Sequence, residues 1–413
     1  MTYAKKEKQF SYLRYQVNEI RKGGLFVFFR KLKLFLISLL LLPMIFIVRL
    51  IRHFVFIRFG SLRSERIGHY AADTELYLCE RDTGLQPRGT IDIFFNEPVI
   101  CNHQLKKMWD RTLFIRGFAL QLYRANRLLP GYKKHIIDLP SYRDIHGLLE
   151  RIPVHLSFTS EEEGKGCDAL TIMGIPANAK FVCFHARDSA YLDRKFPADD
   201  FYYHNYRDSN IDNFSHAVKE FTRRGYYLLR MGAVVKKNIQ FESQNIIDYA
   251  KKFRTDFLDI FLNAKCYFYL GDSCGIDQIQ SIFRRPVATT NMIPLELAAS
   301  WGQNRLFIPK KLWLKKESRF MTFREVLESG VGKFIRTEQY DQAGIEVVEN
   351  TPGEIRDVAI EMDERLKGSW QTTEEDEELQ QRFWALFKKS ELHGVIRARI
   401  GRDFLRLNKN LLE

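Results

Sequence analysis

The chain has 413 residues, 45% hydrophobic and 28% charged, a balance that excludes a disordered or collagen-like chain and leaves room for two ordinary domains plus an appendage. Its net charge of +13 points to nucleic acid until it is located: residues 1–66 hold 14 Lys/Arg against 3 Asp/Glu, a net of +11, leaving +2 for the other 347 residues. The folded body therefore lacks the basic face of a nucleic-acid reader. The six cysteines, at 79, 101, 167, 183, 266 and 274, have no paired spacing, which argues against a disulfide framework or a zinc site and fits a reducing compartment.

Residues 34–48, LFLISLLLLPMIFIV, carry no charge. As a helix they span roughly 22 Å, short against a hydrocarbon core about 30 Å thick. The run starts late and no small-residue cleavage site follows it, so it is not a signal peptide. Nine Lys/Arg precede it and five follow within residues 49–66, and positive charge on both flanks conflicts with a simple span. With Pro43 inside the run, the pattern predicts a re-entrant or in-plane hairpin with both ends cytoplasmic. A kinked single anchor is the equal alternative. Both attach the chain to a membrane, with an anionic membrane surface as partner.

From residue 61 the texture becomes alternating α/β. The pattern predicts a helix through AADTELYLCERD, a strand at 91–95, a helix at 102–110, a strand at 113–115 and a helix at 118–129 that stops before Pro130-Gly131. Glu161-Glu162-Glu163 with Gly164 and Gly166 reads as a linker. Beyond it come strands at 181–184, 226–229 and 267–270, another after Pro286, and helices at 214–224 and 257–263. Strands alternating with helices predict a parallel sheet covered on both faces. Residues 374–412 read as an amphipathic helical tail opened by a Thr373-x-x-Asp376 capping box, with Leu379, Phe383, Trp384 and Phe387 on one face.

In open α/β sheets ligands sit beyond the carboxyl ends of the strands. Four polar clips fall at such places: 66–69 with Gly68 and His69, 185–188 with His185, Arg187 and Asp188, 230–232 with Arg230 and Gly232, and the run Gly271-Asp272-Ser273-Cys274-Gly275. In the last, the two glycines permit close backbone approach, and Ser273 with the amides of the next helix offers an anion a site. The plainer alternative is an ordinary N-cap. Arg187 and Arg230 can pair with a phosphate; the alternatives are structural pairs, Arg187 with Asp188 or Asp193 and Arg230 with a carboxylate such as Asp272. His69, with Asp73 and Glu75 on the helix after it, is a candidate base facing an acceptor or a satisfied loop histidine. His185 orients its neighbours. Asp277 reaches a ribose or base, or solvates a helix face. No DxD, GxxxxGK[ST], GxGxxG or HExxH occurs.

FHARDSAYL, HNYRDSNIDNF, GYYLLRMG and FLDIFLNAKCYFYLGDSCGIDQIQSIFRRPVATTN resemble a family of bacterial surface-polysaccharide glycosyltransferases. The resemblance covers roughly residues 66–370 and is densest from 181 to 291. It implies the GT-B fold: an α/β protein of two Rossmann-like domains facing a cleft. Here that gives a basic membrane segment 1–60, an acceptor domain 61–165, a nucleotide-sugar donor domain 166–370 and a helical tail 371–413. More distantly, His185-Ala186-Arg187 is similar to the His-x-Arg clip that fucosyltransferase-type enzymes place on the donor diphosphate, while the match of Gly271-Asp272-Ser273 to their Asp-Ser clip is looser. The resemblance implies a metal-independent transfer with no cofactor besides the nucleotide-diphosphate sugar, a glycan or lipid-linked glycan acceptor, and a catalytic body on the cytoplasmic side of the bacterial inner membrane. A nucleotide-sugar epimerase, a pyruvyl transferase or a non-catalytic membrane scaffold of an assembly complex remain alternatives, because fold does not fix function.

Overall fold

The computed structural model describes residue 21 and residues 24–195, 200–388 and 392–413. They divide into two compact units, one comprising Met1–Leu62, Pro87–Glu97 and Leu113–Leu139, the other Arg63–Gln86, Pro98–Thr112 and Pro140–Glu413.

The first unit is a small parallel sheet, β1 (Phe56–Leu62), β2 (Thr90–Asn96) and β3 (Ile136–Ile137), in the order β2-β1-β3. The stretch 113–115 adds only a single bridge, Phe94 to Ile115. Ile45, Phe59, Ile93, Phe95, Ala119, Leu122 and Ala125 form the core. Ile45 belongs to a helix, Gly24–His53, long and apolar enough to cross a membrane and mostly exposed. The expected hairpin at Pro43 does not form. Pro43 sits in the first turn of the stretch Leu42–Leu50, where a missing N–H costs little, and Ile45 N still donates to Leu41 O at 3.1 Å across it. The last turns are docked: Ile45 and Val48 are buried, and the Arg49 guanidinium donates to Asn126 Oδ1 at 2.8 Å and Pro130 O at 2.6 Å.

The second unit is built on β4 (Phe181–His185), β5 (Tyr227–Arg230), β6 (Ile246–Ile247), β7 (Tyr269–Asp272), β8 (Val287–Met292) and β9 (Arg305–Pro309). A small antiparallel sheet, β10 (Lys311–Leu314), β11 (Arg319–Phe320) and β12 (Ile345–Val348), follows, and β13 (Arg399–Ile400) returns to the main sheet. The main sheet runs β13-β9-β8-β7-β4-β5-β6 with every pair parallel. Such strands are covered on both faces, which is why they read as continuous apolar runs. Side chains alternate: Val182, Phe184, Leu228 and Leu270 enter one core, Phe181, Cys183, Leu229 and Tyr269 the other. The α/β expectation with parallel sheets holds. Strand order reverses between β4 and β7, the switch point where such sheets open a crevice beyond their carboxyl ends.

Three segments differ from expectation. Residues 161–166 are not a linker but part of the helix Ser160–Ile172, closed by a Thr159–Glu162 capping box; three acidic residues in a first turn complement the helix dipole. The helices Ile67–Asp82 and His103–Thr112 group with the second unit. Tertiary bonds hold them there: Trp109 Nε1 donates to Tyr70 O at 3.1 Å and Asn102 Nδ2 to Asp256 O at 2.9 Å. The tail is helical only in part. The helix Glu374–Ala385 carries the Thr373–Asp376 capping box, but β13 then adds a strand to the sheet, because Ile400 has an open edge at β9 to fill.

Phe383 is fully buried, with Phe307, Phe323, Trp384 and Phe387 ring centroids 5.3–5.9 Å away. Phe383→Ala should cost about 3–5 kcal/mol, seen as a lower midpoint in denaturant unfolding. A midpoint within error of wild type would mean that the tail is not part of this core.

Candidate active site at the switch point

The carboxyl ends of β4 and β7 lie side by side, with His185 paired to Gly271. Gly271 is required by that closeness, since a Cβ there would collide with His185 O. Next in the chain, Asp272 is 1% exposed and fully engaged. Its Oδ2 accepts from Arg187 N at 2.8 Å and from Ser209 Oγ; its Oδ1 accepts from Thr290 Oγ1 at 3.1 Å and Asn291 Nδ2 at 2.9 Å. Asp272 therefore builds the crevice rather than facing a ligand.

Around it the positive charge collects. Arg187 pairs with Asp208, not with Asp188 or Asp193, and also donates to His204 O at 3.4 Å. Burial, helped by neighbouring Arg207, pushes its pKa down to about 10. Arg207 donates to Ser273 O at 2.7 Å and has no carboxylate partner among the described residues. Lys310, buried just past β9, donates only to the carbonyls of Tyr206 (3.2 Å) and Asp208 (2.5 Å). Burial lowers its pKa, Arg187 and Arg207 add to the effect, and Asp272 and Glu349 oppose it.

The other predicted residues fall into place around this centre. His185 Nδ1 bonds Met231 O at 3.0 Å. Burial works against its proton, but Cys274, that bond and Asp272 outweigh it, and its pKa is raised. Gly232, at φ +145°, lies against the His185 ring. Asp188 closes the loop, accepting from Ala190 N at 3.0 Å and Lys236 N at 2.9 Å. Arg230 is buried against Asp248, 3.4 Å away, not against Asp272. The helix after the clip, Asp277–Ile282, has six residues and no side-chain cap, so its dipole is small and the cations carry the positive field.

Gly68 and Gly275 touch: a Cβ on Gly68 would lie 2.9 Å from Gly275 Cα, and one on Gly275 would lie 3.2 Å from Gly68 N. Without that contact the helix Ile67–Asp82 could not reach the clip. His69 is on this helix rather than in a loop before it, and pairs with Asp73 one turn on at 3.1 Å. The Asp73 side chain is fully buried and also holds Arg63 at 3.2 Å. The His69 ring meets Tyr142 edge-on at 5.5 Å. Tyr142, Ser273, Asp277, Gln278, Trp301 and Arg305 line a narrow cavity of about 30 Å³, room for roughly one water.

The run Gly271–Gly275 also spells G-x-S-x-G, the pattern of a nucleophile elbow. Ser273 is not among the residues with positive φ, and no histidine hydrogen-bonds it among the described residues, so the strained, base-activated turn of such an elbow is missing. A cluster of Glu75, Cys79 and His155, with donor atoms within 4.8 Å of one another, has metal-ligand chemistry. It is already occupied by a cation of the chain. The Arg284 guanidinium lies 2.7 Å from Glu75 Oε1 and 3.7 Å from Cys79 Sγ. Burial opposes the charged form of His155, but bonds to Cys79, Glu75 and Asp82 overcome it and lift its pKa to about 10. A dication would have to displace two positive groups.

Arg207, Lys310, His204, Tyr142 and Arg305 were not singled out in the sequence. Arg207 and His204 lie inside the polar run HNYRDSN, and Lys310 ends a strand as the chosen clips do, so strand-end position was a signal for Lys310. Nothing local marks Tyr142.

No family model matches the sequence, and no curated protein matches it. Among solved structures, the glycosyl transferase family 9 protein from Veillonella parvula is 11% identical, with 75% of this chain and 97% of that one covered at a TM-score of 0.43. The ADP-heptose LPS heptosyltransferase II of E. coli is 12% identical over 61% of this chain and 90% of that one, at 0.36. The iron-containing dodecameric glycosyltransferase TibC of enterotoxigenic E. coli is 9% identical over 61% of each chain, at 0.32. At these scores none of them assigns a function to this chain.

Asp277 is buried, and burial lifts its carboxyl to about 6 against the ordinary 3.8, with Arg305 and Gln278 pulling it back only in part. The folded state thus keeps a proton that the unfolded chain releases between pH 4 and 6, and stability falls as pH rises through that window. Asp277→Asn should flatten the slope and raise stability at pH 7, by at most about 3 kcal/mol. Unfolding curves at pH 4, 5, 6 and 7 check this; an unchanged slope would mean that another group sets it.

Proposed function

We propose that the chain is a membrane-attached glycosyltransferase that binds the diphosphate of a nucleotide sugar at the switch point and passes the sugar to a hydroxyl of a glycan, lipid-linked in the cell. One observation carries this: Arg187, Arg207 and Lys310 converge where the strand order reverses, and the carboxylates among them, Asp208 and Asp272, are both committed to internal bonds. Arg207 has no carboxylate partner among the described residues and Lys310 is held by carbonyls, so two cations remain available to an anion. With these cations to hold the diphosphate, the proposed transfer is metal-independent.

In this mechanism His69, held by Asp73, takes the proton of the acceptor hydroxyl as its oxygen bonds the anomeric carbon. The bond from that carbon to the phosphate oxygen breaks, and its electron pair leaves with the diphosphate. Arg187, Arg207 and Lys310 stabilise the charge that gathers there. The helix Gly24–His53 anchors the protein, and the basic residues of the first 66 positions favour the anionic cytoplasmic leaflet of a bacterial inner membrane, where nucleotide sugars and lipid-linked glycans meet.

Two variants separate the roles. Full-length protein in detergent micelles should bind a nucleoside diphosphate in calorimetric titration, and Arg207→Ala should weaken binding about 10- to 100-fold, the loss of one charge-assisted contact. No binding to any of a panel of nucleoside diphosphates by folded protein would leave a scaffold role instead. His69→Gln should leave that affinity within about twofold and lower transfer by roughly 10²–10⁴; unaltered transfer would remove His69 as the base.

A further inference from the structure

His204 belongs to the cluster and has no task in this mechanism. It lies in the turn Tyr202–Arg207, with its ring 4.0 Å from that of Tyr203. Its Nδ1 is buried and has no hydrogen-bond partner among the described residues. Four guanidinium groups on separate elements act on the imidazole: Arg207 from its own turn, Arg187 beyond β4, Arg66 at the start of the helix Ile67–Asp82, and Arg336 at the start of the helix Thr337–Gln342. Arg336 also sits over the Tyr203 ring at 4.7 Å. The nearby carboxylates are engaged elsewhere, Asp208 with Arg187, Glu338 with Arg336 at 3.4 Å and Asp341 with the Tyr202 hydroxyl at 3.2 Å. Burial and then these four cations push the pKa of His204 down to about 4, so in the empty site the ring is neutral.

We propose that His204 is a further binding residue for the diphosphate: it takes up a proton as the anion enters the cluster and then donates a hydrogen bond to it. This rests on the cluster being a diphosphate site. Empty, the four arginines repel a fifth positive charge. An anion among them cancels that repulsion, and its oxygens give the orphaned ring nitrogen an acceptor. A group whose pKa rises on binding strengthens binding as pH falls, from the bound pKa down to the free one. For His204 the lower edge of that window is about 4, and its upper edge is the raised pKa of the bound state.

The test uses the full chain in detergent micelles and inorganic pyrophosphate as the probe. Calorimetric titration at pH 6 in two buffers of different ionisation enthalpy counts protons taken up per anion, for wild type, His204→Asn and His204→Gln. Differences between wild type and variant cancel the probe's own protonation. Wild type should take up more protons per anion than either variant, and its affinity relative to theirs should grow as pH falls from 7.5 to 5.5. Pyrophosphate binding with equal proton uptake in wild type and variants would overturn the proposal while leaving the diphosphate site standing. Absence of binding to folded wild type would overturn both.

Discussion

The site is organised by one buried carboxylate. Asp272 stands at the end of β7 and gathers four donors from three other parts of the chain: the Arg187 amide after β4, Ser209 in the polar turn, and Thr290 and Asn291 on β8. A buried charge is tolerated when its lone pairs are satisfied, and here they are. The arrangement fixes the backbone from which Arg187 projects and draws the 202–210 segment over the strand ends. Asn291, at φ +49°, also accepts from Asn350 N at 2.7 Å, so the same network reaches the small antiparallel sheet.

Once that frame is set, electrostatics follows from which charges are left over. Asp208 neutralises part of Arg187, Asp272 keeps its charge while four neutral donors fix it in place, and Arg207 and Lys310 are held by carbonyls. Carbonyl partners orient a cation without cancelling its charge. Burial first, and neighbouring cations after it, displace three groups there downward, Arg187, Lys310 and His204. Such displacement is the signature of a place built to receive charge of the opposite sign.

Much of the frame was legible in the sequence. Strands 181–184, 226–229 and 267–270 stand out because parallel strands covered on both faces are apolar throughout; the structure extends the first by one residue and shifts the other two toward the carboxyl end by one and two residues. The clips at their carboxyl ends were legible for the same reason, since punctuation is conspicuous after an apolar run. Other expectations depended on partners that a local pattern does not reveal. Residues 161–166 look like a linker until the Thr159 cap is counted. Pro43 looks like a bend until its place in a first turn is known. Arg230 and Arg187 look alike at strand ends, yet one is buried against Asp248 and the other stands in the cluster.

The sequence by itself determined the α/β architecture, the strand-end positions of His185, Arg187 and the run from Gly271 to Gly275, and an apolar helix near the start. These are properties of neighbouring residues, set by period, length and turn chemistry. Only the tertiary structure decided that Gly68 meets Gly275 and brings His69 to the clip, that Lys310 joins Arg187, and that four arginines surround His204. Most of those pairings, Gly68 with Gly275 and Arg187 with Lys310 among them, join residues more than 100 positions apart, and they form because a sheet whose strand order reverses brings separate chain segments to one edge. Charge balance at that edge is a sum over all of them, and no single stretch of sequence contains it.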